Sequence, residues 1–363
     1  MFEEIIALIK PLNSEAMEKC QLRIDNLTKP LGSLHSFEHL ARQMAGITGN
    51  PRPNKLKKSI IVMAADHGVS DEGVSKYCRE MTASMVENIC NANAAINIFA
   101  EHVLANLVLV DIGMASDLPA YPMLRYEKVA YGTKNILHEP AMIRQQTIQA
   151  IEVGIKIVQA EVESGSQVLG LGEIGIGSTT AAAALIACYS SKNRAALAGC
   201  GYGISDEVFK KKIRVIETAL AVNCPDHNDP LDVLAKVGGL DIAGLVGVIL
   251  GAASSGAAVV LDGLISSAAA LVAVKIAPGV KNYLVGSHFS VEPAQKEALE
   301  IIGISAHLEL DMSLGEGTGA ALGMTLINAS LHVLNDMKTF GEAEVAVAQD
   351  GPGALMQSKN VKD

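Results

Sequence analysis

The chain is poor in aromatic residues and has no excess of basic ones. Tryptophan is absent, and aromatic residues make up only 4% of the 363 positions, whereas 49% of them are apolar. This composition favours closely packed helices and sheets over a surface on which bases stack. The formal net charge is −10, which argues against a nucleic-acid-binding protein because such proteins need a basic face.

Cysteine pairs and a leader segment are also lacking. The six cysteines form no CxxC pair and no spacing typical of metal ligands, so we expect small buried side chains in a reducing compartment. Asp66, His67 and Asp111 lie near strand ends, but their spacing matches no metal motif, so we expect neither a metal nor a cofactor. The acidic start of the chain lacks the basic region of a signal peptide, and we expect a cytoplasmic protein.

One long uncharged run has to be tested as a membrane span. Residues 242–261 carry no charge and have about the length that crosses a bilayer. The run is rich in Gly, Ala and Ser, lies between Asp241 and Asp262, and is interrupted by a Ser-Ser-Gly step. We therefore expect a buried helix followed by a short strand at 257–261, and no membrane association.

Five short apolar runs recur along the chain, separated by helix-length segments. They end at Gly or Asp and show no polar alternation, which is typical of buried parallel strands in α/β proteins. The runs are residues 59–65, 107–110, 167–171, 257–261 and 283–285. Because ligands bind beyond the carboxyl ends of such strands, the pattern predicts a site where these runs end.

The two ends of the chain differ from this α/β body. The first ~30 residues are typical of amphipathic helix, and the segment KPLGSL at 29–34 is typical of a turn into a second helix. We predict an α/β domain over residues 50–330 and a small helical domain formed by residues 1–49 and 331–363. From about Phe340 the pattern is weak, and we predict a turn at 350–353.

A glycine-rich loop follows the third apolar run. The sequence GLGEIGIGSTT at 170–180 predicts a strand, a loop and a helix start, where backbone N–H groups and hydroxyls form a site for a phosphate monoester. The residues expected to bind phosphate are Gly175, Gly177, Ser178, Thr179 and Thr180. The P-loop lysine is missing, but Gly170, Gly172 and Gly175 also fit a dinucleotide-binding fingerprint, which stays open.

Two further features accompany this loop. Glu173 is unusual inside it, since a carboxylate repels phosphate and would suit ribose hydroxyls or a cationic ring better. A second loop, GCGYG at 199–203, leads to a basic run at 210–214. That run is either a solvated helix face or the source of one lysine that reaches the anion, and Gly201 and Gly203 would then add backbone N–H groups.

The segment LGEGTGAAL at 314–322 places one carboxylate, Glu316, among glycines where a helix begins. Glycine lets the backbone approach a ligand closely, so Glu316 is a candidate acid or base in an apolar wall. The alternative is a solvated Glu that caps the helix. Ser287 and His288 mark a further strand end, for which a ligand contact and a structural role are both open.

Together these segments resemble the nicotinate-nucleotide–dimethylbenzimidazole phosphoribosyltransferase family, which builds the lower nucleotide of cobamides. The matches run across most of the chain, and they are specific in this order and spacing. They are KPLGSL at 29–34, ADHGV at 65–69, DEGV at 71–74, GEIG at 172–175, TT at 179–180, KVGG at 236–239, LDG at 261–263, SHFS at 287–290 and LGEGTGAAL at 314–322.

The resemblance implies a parallel six-stranded sheet in an α/β domain, a small helical domain from both chain ends, and a dimer. It also implies transfer of phosphoribosyl from nicotinate mononucleotide to a lower-ligand base, which gives an α-ribosyl monophosphate and nicotinate. By this resemblance Glu316 is the general base, and Glu173 and Lys212 support catalysis. The residues implied to contact the nucleotide are Asp262, Gly263, Ser287 and His288.

The chain departs from the family where the acceptor would bind. Many relatives carry a Pro step after the GV pair and then a Gln that faces the base, but here the Pro position is Cys78 and the Gln position is Met85 or Ser84. A pocket with Met81 and Met85 would accept a less polar ring, so we predict activity on a phenol beside or instead of benzimidazoles. The expected acceptor-binding residues are Tyr77, Met81, Ser84, Met85, Ile174, Leu314 and Gly315.

Two other functions stay open at this point. A catalytically silent or partner-dependent nucleotide-binding subunit would keep the site without turnover, although Glu316, Glu173 and Lys212 argue against it. A nucleotide-dependent oxidoreductase would need an acidic residue about twenty positions after the loop, in a second strand, and none is clear. The sequence is compatible with a homodimer and with a heterodimer of related chains.

Overall fold

A parallel sheet of six strands forms the centre of the computed structural model, which describes residues 2–199 and 205–362. The strand order is β3-β2-β1-β4-β5-β6. The strands are β1 Lys58–Ala65, β2 Ala105–Gly113, β3 Leu124–Tyr126, β4 Val168–Ile174, β5 Ala258–Leu261 and β6 Leu284–Gly286. A short separate sheet pairs β7 His288–Phe289 with β8 Leu308–Glu309. The predicted α/β class with a six-stranded parallel sheet is confirmed.

All five apolar runs predicted as strands belong to this sheet. Each residue of β1 is buried, as expected for a strand covered on both faces. The sixth strand, β3, was not recognised from its own sequence. It has three residues, and Leu124 alone among them is buried, so it lacks the apolar run that identifies the others.

The helices pack around the sheet and form the two chain ends. Among the described residues they are α1 Phe2–Ala7, α2 Ser14–Asn26, α3 Ser36–Thr48, α4 Met81–Cys90, α5 Ala95–His102, α6 Arg144–Glu163, α7 Ser178–Ala187, α8 Arg194–Leu197, α9 Asp206–Asn223, α10 Pro230–Val237, α11 Leu240–Ser254, α12 Leu264–Ile276, α13 Pro293–Ile302, α14 Thr318–Asp336, α15 Phe340–Ala343 and α16 Gly351–Met356. Two 3₁₀ segments, Gly68–Glu72 and Pro278–Tyr283, complete them.

The strand order places a ligand crevice between β1 and β4. The chain leaves β1 outward to β2 and β3, and then returns to continue on the other side of β1 with β4, β5 and β6. In parallel sheets a crevice opens at such a reversal, beyond the carboxyl ends of the two strands. Asp66 and His67 follow β1, and Glu173 lies at the end of β4, so the sheet brings these polar groups to one edge.

The long uncharged run is a buried helix, as predicted. In α11 every residue from 240 to 253 is buried, because this helix packs against α6, α12 and strands of the main sheet. The contact with α6 is made through glycines. A Cβ atom on Gly154 would overlap the carbonyl oxygen of Gly244, and one on Gly247 would overlap the carbonyl oxygen of Ile151. Within the described residues, no helix combines the length and the apolar character needed to cross a membrane.

This glycine contact gives a stability prediction. We expect Gly154→Ala to lower the free energy of unfolding by about 1–3 kcal/mol, although Ala is the better helix former, since the added methyl meets backbone that cannot rotate away. Gly279→Ala is the control, because its Cβ would lie 3.5 Å from Ile9, an ordinary contact. Chemical denaturation of both variants measures the difference, and equal stabilities would contradict tight α6–α11 packing.

The two ends of the chain pack together. A second small core contains Cys20 and Ile24 of α2, Ala41 and Ala45 of α3, and Leu334 of α14. The Arg23 side chain adds a hydrogen bond from Nε to the Leu334 carbonyl oxygen at 2.9 Å. These contacts support the proposed small helical domain. The proposed boundary between residues 330 and 331 lies inside α14, which therefore runs from the α/β body into the helical unit.

Two local predictions at the ends need correction. The first ~30 residues form two helices, α1 and α2, because Pro11 lies in the connection between them. The predicted turn at 350–353 is wrong, since residues from Gly351 onward form α16. Pro352 lies in the first turn of that helix, where a missing N–H costs nothing, so a Gly-Pro-Gly sequence does not exclude a helix start.

Candidate active site

Three strand ends converge at the carboxyl edge of the sheet. Glu173 lies at the end of β4, Asp262 directly follows β5, and Ser287 and His288 follow β6. The segment before α14, which carries Glu316, packs onto this edge. A Cβ atom on Gly172 would lie 2.5 Å from the Glu316 carbonyl oxygen, so glycine at this position of β4 is what allows the segment to approach.

Glu316 has an unusual backbone conformation. Its φ angle is 62°, and the flanking Gly315 and Gly317 have φ angles of 85° and 91°. The left-handed region is costly for a residue with a side chain, and it turns the chain so that the Glu316 N–H donates to the Glu173 carbonyl oxygen at 3.3 Å. Glu316 is only 7% exposed, so the alternative of a solvated capping Glu is wrong.

Each of the two glutamates has a buried carboxyl oxygen near the cleft, although the Glu173 side chain as a whole is only partly buried. The Oε2 atoms of Glu173 and Glu316 are both buried without a hydrogen-bond partner among the described residues. Burial raises the pKa of Glu316, and the Asp262 carboxylate raises it further. Burial also raises the pKa of Glu173 well above its usual range, with added repulsion from the carboxylates of Asp241, Asp262 and Glu316. Such groups are suited to accept a proton.

Asp262 holds the segment that carries Glu316. Its Oδ2 atom accepts from the Gly317 N–H at 2.9 Å, and its Oδ1 atom accepts from the Gly319 N–H at 2.8 Å. The carboxylate thereby caps α14, although burial still raises its pKa. Asp262 lines the cleft as expected of a nucleotide-binding residue, but both of its oxygens already bind the protein backbone.

Ser287 and His288 pack against the same helix start. The Ser287 hydroxyl lies 3.1 Å from Nδ1 of His288 and 3.4 Å from the Asp262 carbonyl oxygen, to which it donates. Any side chain on Gly319 would overlap the His288 ring, so glycine is required there. Burial lowers the pKa of His288, which favours the neutral ring at neutral pH.

Lys212 reaches the start of α7 from α9. It is 3% exposed, and its Nζ donates to Thr179 Oγ1 at 3.2 Å and to the Gly199 carbonyl oxygen at 3.4 Å. The interpretation of the basic run as a solvated face is thus wrong for Lys212, although it holds for the exposed Lys210. A buried ammonium beside a helix N-terminus favours an anion. The predicted Gly201 and Gly203 lie outside the described residues.

The glycines before α7 serve a second purpose. A Cβ on Gly175 would lie 3.2 Å from the His67 ring, and one on Gly177 would lie 3.1 Å from the His67 Cβ, so the loop rests on this histidine. His67 is fixed in turn by Asp241, with Nε2 and Oδ2 at 3.0 Å. Sequence reasoning gave Asp241 no role, and nothing local signals it, because its partner is far away in the chain.

These elements enclose a small cleft. The cleft volume is about 70 Å³, which is too small to hold a whole nucleotide, so a bound nucleotide would extend beyond it. The predicted residues that line it are Glu173, Thr179, Asp262, Gly263, His288, Leu314 and Gly315, and Ser266, Ser290, Glu292 and Ser313 also line it. Glu292 was missed, although it follows the SHFS segment by two positions. Its Oε2 is buried 4.0 Å from the Lys212 Nζ.

Most of the predicted acceptor residues lie outside this cleft. Tyr77 and Met81 are 52% and 37% exposed, Ser84 is exposed, and Met85 is partly buried against the core. Ile174 is buried in the core. The helix that carries three of them, α4, is nevertheless tied to the glycine loop, because the Ile176 N–H donates to Thr82 Oγ1 at 3.2 Å.

The acidic residues near the ends of β1 and β2 bind protein groups. Asp66 Oδ2 accepts from the Ala115 N–H at 2.7 Å, and Asp111 forms an ion pair with Lys128 at 3.2 Å. Across the part of the chain that the structure describes, no three or more His, Cys, Asp or Glu side chains are grouped so that they could hold a metal ion.

Comparisons with known proteins agree with this fold. A sequence model described as phosphoribosyltransferase matches residues 9–345. Nicotinate-nucleotide–dimethylbenzimidazole phosphoribosyltransferases from Geobacter sulfurreducens and Chloroflexus aggregans are 47% and 48% identical over 346 residues, which is 95% of this chain and 98% of each relative. The solved structure of CobT from Thermus thermophilus is 38% identical with a TM-score of 0.88, and the match covers 92% of this chain and 99% of that one.

Proposed function

Because this chain belongs to the nicotinate-nucleotide–dimethylbenzimidazole phosphoribosyltransferase family, we propose that it moves phosphoribosyl from nicotinate mononucleotide to a cobamide lower-ligand base or phenol. The products are the α-ribosyl 5′-phosphate of the acceptor and nicotinate. One observation carries this proposal most strongly. Two carboxylates with buried, unpartnered oxygens, Glu173 and Glu316, lie next to a cleft whose other side holds Lys212 and the start of α7.

The donor needs little help to lose its leaving group. The pyridinium nitrogen of nicotinate mononucleotide already carries a positive charge, so the electron pair of the breaking C1′–N bond neutralises it. Positive charge develops on the ribose as this bond breaks, and carboxylates near the anomeric carbon would stabilise that charge. We assign this role to Glu173, which lines the cleft. Its pKa is raised without ligand, and the positive charge of the bound donor would favour the ionised carboxylate.

The acceptor presents the harder step. Its nitrogen or oxygen forms the new bond to C1′, and the N–H or O–H proton has to leave as it does so. We assign Glu316 as the general base that takes this proton, since burial raises the pKa of its carboxyl and so increases its basicity. Attack from the face opposite the leaving group inverts the β-configured donor into an α-configured product.

The phosphate of the donor would lie at the start of α7. Lys212 supplies the charge, Thr179 supplies a hydroxyl, and Ser178 and Thr180 begin the helix whose N-terminus favours an anion. His288, Ser287 and Gly263 follow strand ends on the opposite side of the cleft, and we propose that they border the ribose.

The acceptor preference gives a direct test of the proposal. Purified protein and nicotinate mononucleotide would be offered dimethylbenzimidazole, adenine, phenol and p-cresol separately, with nicotinate release and product mass measured. We expect turnover of phenol or p-cresol beside or instead of dimethylbenzimidazole, because Met81 and Met85 would accept a less polar ring. A strict preference for dimethylbenzimidazole would refute the phenolic acceptor.

Met85→Gln sharpens this assay, since Met85 is one of the two positions, with Ser84, that match the Gln of the family pattern. We expect it to favour dimethylbenzimidazole over p-cresol by about tenfold relative to the parent chain. Ser116→Gln, on a surface loop, is the control. If Met85→Gln left the ratio of dimethylbenzimidazole to p-cresol turnover unchanged, the acceptor would bind away from α4. That result would agree with the position of α4 outside the cleft of a single chain.

The alternative is a silent or partner-dependent subunit, which predicts binding of nicotinate mononucleotide without release of nicotinate from any acceptor. A dimer, either of this chain or with a related one, belongs to the proposal as well. Leu314, at the edge of the cleft, is 52% exposed, and a second chain or an acceptor ring would cover it. Activity that appears only after a related chain is added would favour the alternative.

A further inference from the structure

A large groove separates α3 from the edge of the main sheet. It measures about 680 Å³, which is within the range of sites that bind small organic molecules. One wall includes His35 and residues of α3. The other includes residues 281–282, edge strand β6 and residues 303–307. We call it the α3 groove. Its apolar lining includes Leu12, Met17, Val285 and Ile304.

Positively charged or protonatable side chains line this groove from both walls. His35, His39 and Arg42 come from the α3 side, and Lys281 and His307 come from the opposite wall. Among the described residues that line it there is no Asp or Glu. Arg42 and Lys281 are cationic, and like charges without a counter-charge are unfavourable, so a bound anion would offset their repulsion.

The acid in the first turn of α3 does not balance these charges. Glu38 accepts a hydrogen bond from the Leu34 N–H at 3.0 Å and forms an ion pair with Lys29 at 2.8 Å. The Nε of Arg42, in contrast, is buried and has no hydrogen-bond partner in the described part of the chain. A buried donor without a partner is costly, so this guanidinium is arranged for a ligand.

The histidines respond to the same surroundings. Burial lowers the pKa of His39, and the charges of Arg42 and His35 lower it further. Burial also lowers the pKa of His307, with a contribution from His39. His39 and His307, on opposite walls of the groove, thus influence each other electrostatically. An anion bound between the walls would raise the pKa values of both histidines.

The backbone at the entrance of the groove is strained. His35, which precedes α3, has a φ angle of 32° and a ψ angle of −92°, and its side chain does not cap the helix. Strained non-glycine residues concentrate at ligand sites, where the surrounding structure holds them in place. The strained His35 lies on the same wall of the groove as His39 and Arg42.

From the groove, its cationic lining and the unpartnered Arg42 donor, we propose that the α3 groove binds a small organic molecule with one anionic group on an apolar body. The anionic group would lie between Arg42 and Lys281, and the apolar body would contact Met17 and Val285. A phosphate monoester and an aromatic carboxylate share this chemistry. The proposal concerns a second site and is independent of the transferase reaction in the cleft.

Anion binding in the α3 groove can be tested by measuring the pKa values of its histidines. Imidazole signals of His39 and His307 would be assigned by NMR with His39→Gln and His307→Gln, and their pKa values measured with phenyl phosphate, with benzoate, or with chloride at equal ionic strength. We expect at least one of the two organic anions, but not chloride, to raise both pKa values. The stronger one identifies the preferred anionic group.

Substitutions separate the groove from the cleft. Arg42→Gln and Lys281→Gln are each expected to weaken the anion response about tenfold, whereas Lys296→Gln, which removes an exposed charge on α13, leaves it unchanged. Lys212→Met removes the cleft lysine and should also leave it unchanged. A response abolished by Lys212→Met alone, or no response to either organic anion, would overturn the proposal. A His39 pKa that changed only with protein concentration would overturn it in favour of a second copy.

Discussion

Glu316→Gln is expected to lower kcat by about 10²–10⁴-fold, the usual contribution of a positioned general base, while the protein stays folded. The amide has nearly the same shape as the carboxyl but cannot take the acceptor proton. As the pH is lowered, the wild-type rate should fall when Glu316 becomes protonated. This fall should occur at a pH above the ordinary pKa of Glu, because burial raises the pKa of Glu316. The variant should lose this acidic limb, and a pH profile of nicotinate release measures both effects.

Stability provides the control for this substitution. Burial raises the pKa of Glu316, so the ionised carboxyl is unfavourable in the folded state at neutral pH, and this cost disappears in acid, where folded and unfolded chains are both protonated. We therefore expect Glu316→Gln to be at least as stable as the wild type at neutral pH, with the difference shrinking as the pH falls. Glu309→Gln, at an exposed position, should change neither rate nor stability. Near-wild-type turnover in Glu316→Gln would disprove its assignment as the base.

Lys212→Met is expected to reduce kcat/KM for nicotinate mononucleotide by about 10²-fold, since a charge-assisted hydrogen bond to phosphate contributes about 1.5–3 kcal/mol. The loss should appear mainly as a higher KM for the donor, because the phosphate is remote from the reacting C1′ atom. The KM for the acceptor should change little. Steady-state kinetics with each substrate varied in turn separates these effects.

Removal of Lys212 also leaves Glu292 without its neighbouring cation at 4.0 Å, so the fold has to be checked by thermal unfolding. Lys210→Met is the matched control, because Lys210 lies on the same helix and is exposed. If both lysine variants lost the same activity, the effect would come from the general charge of α9. If neither did, the donor phosphate would bind elsewhere.

The sheet could be predicted from the sequence because its strands are buried on both faces. An uninterrupted apolar run such as the one in β1 or β5 needs no knowledge of distant contacts. The edge strand β3 and the two-residue strands β7 and β8 lack such runs, and their pairing is decided by neighbours that the local sequence does not specify. The same applies to α16, where a Gly-Pro-Gly sequence permits both a turn and a helix start.

In the candidate site, likewise, some features could be predicted from the sequence and others could not. The burial of Glu316 and the approach of Lys212 to Thr179 agree with expectations from glycine-rich segments and from the resemblance to the family. The capping of α14 by Asp262 and the support of the glycine loop by His67 and Asp241 join residues that are far apart in the chain. Spacing rules describe near neighbours on one element, so they cannot reveal such pairs. The Tyr77 to Met85 segment was assigned by family pattern alone, and none of its residues lines the cleft.

The left-handed backbone of Glu316 has a consequence for engineering. Glycine adopts a φ angle of 62° without the steric cost that Glu bears there, and it would also remove a buried carboxyl that repels its neighbours. Directed evolution that rewards heat resistance alone would therefore favour Glu316→Gly, a variant without the general base proposed above, as would automated sequence design on this backbone. A thermostable catalyst from this scaffold requires that Glu316 be held fixed, or that every round include a screen for turnover.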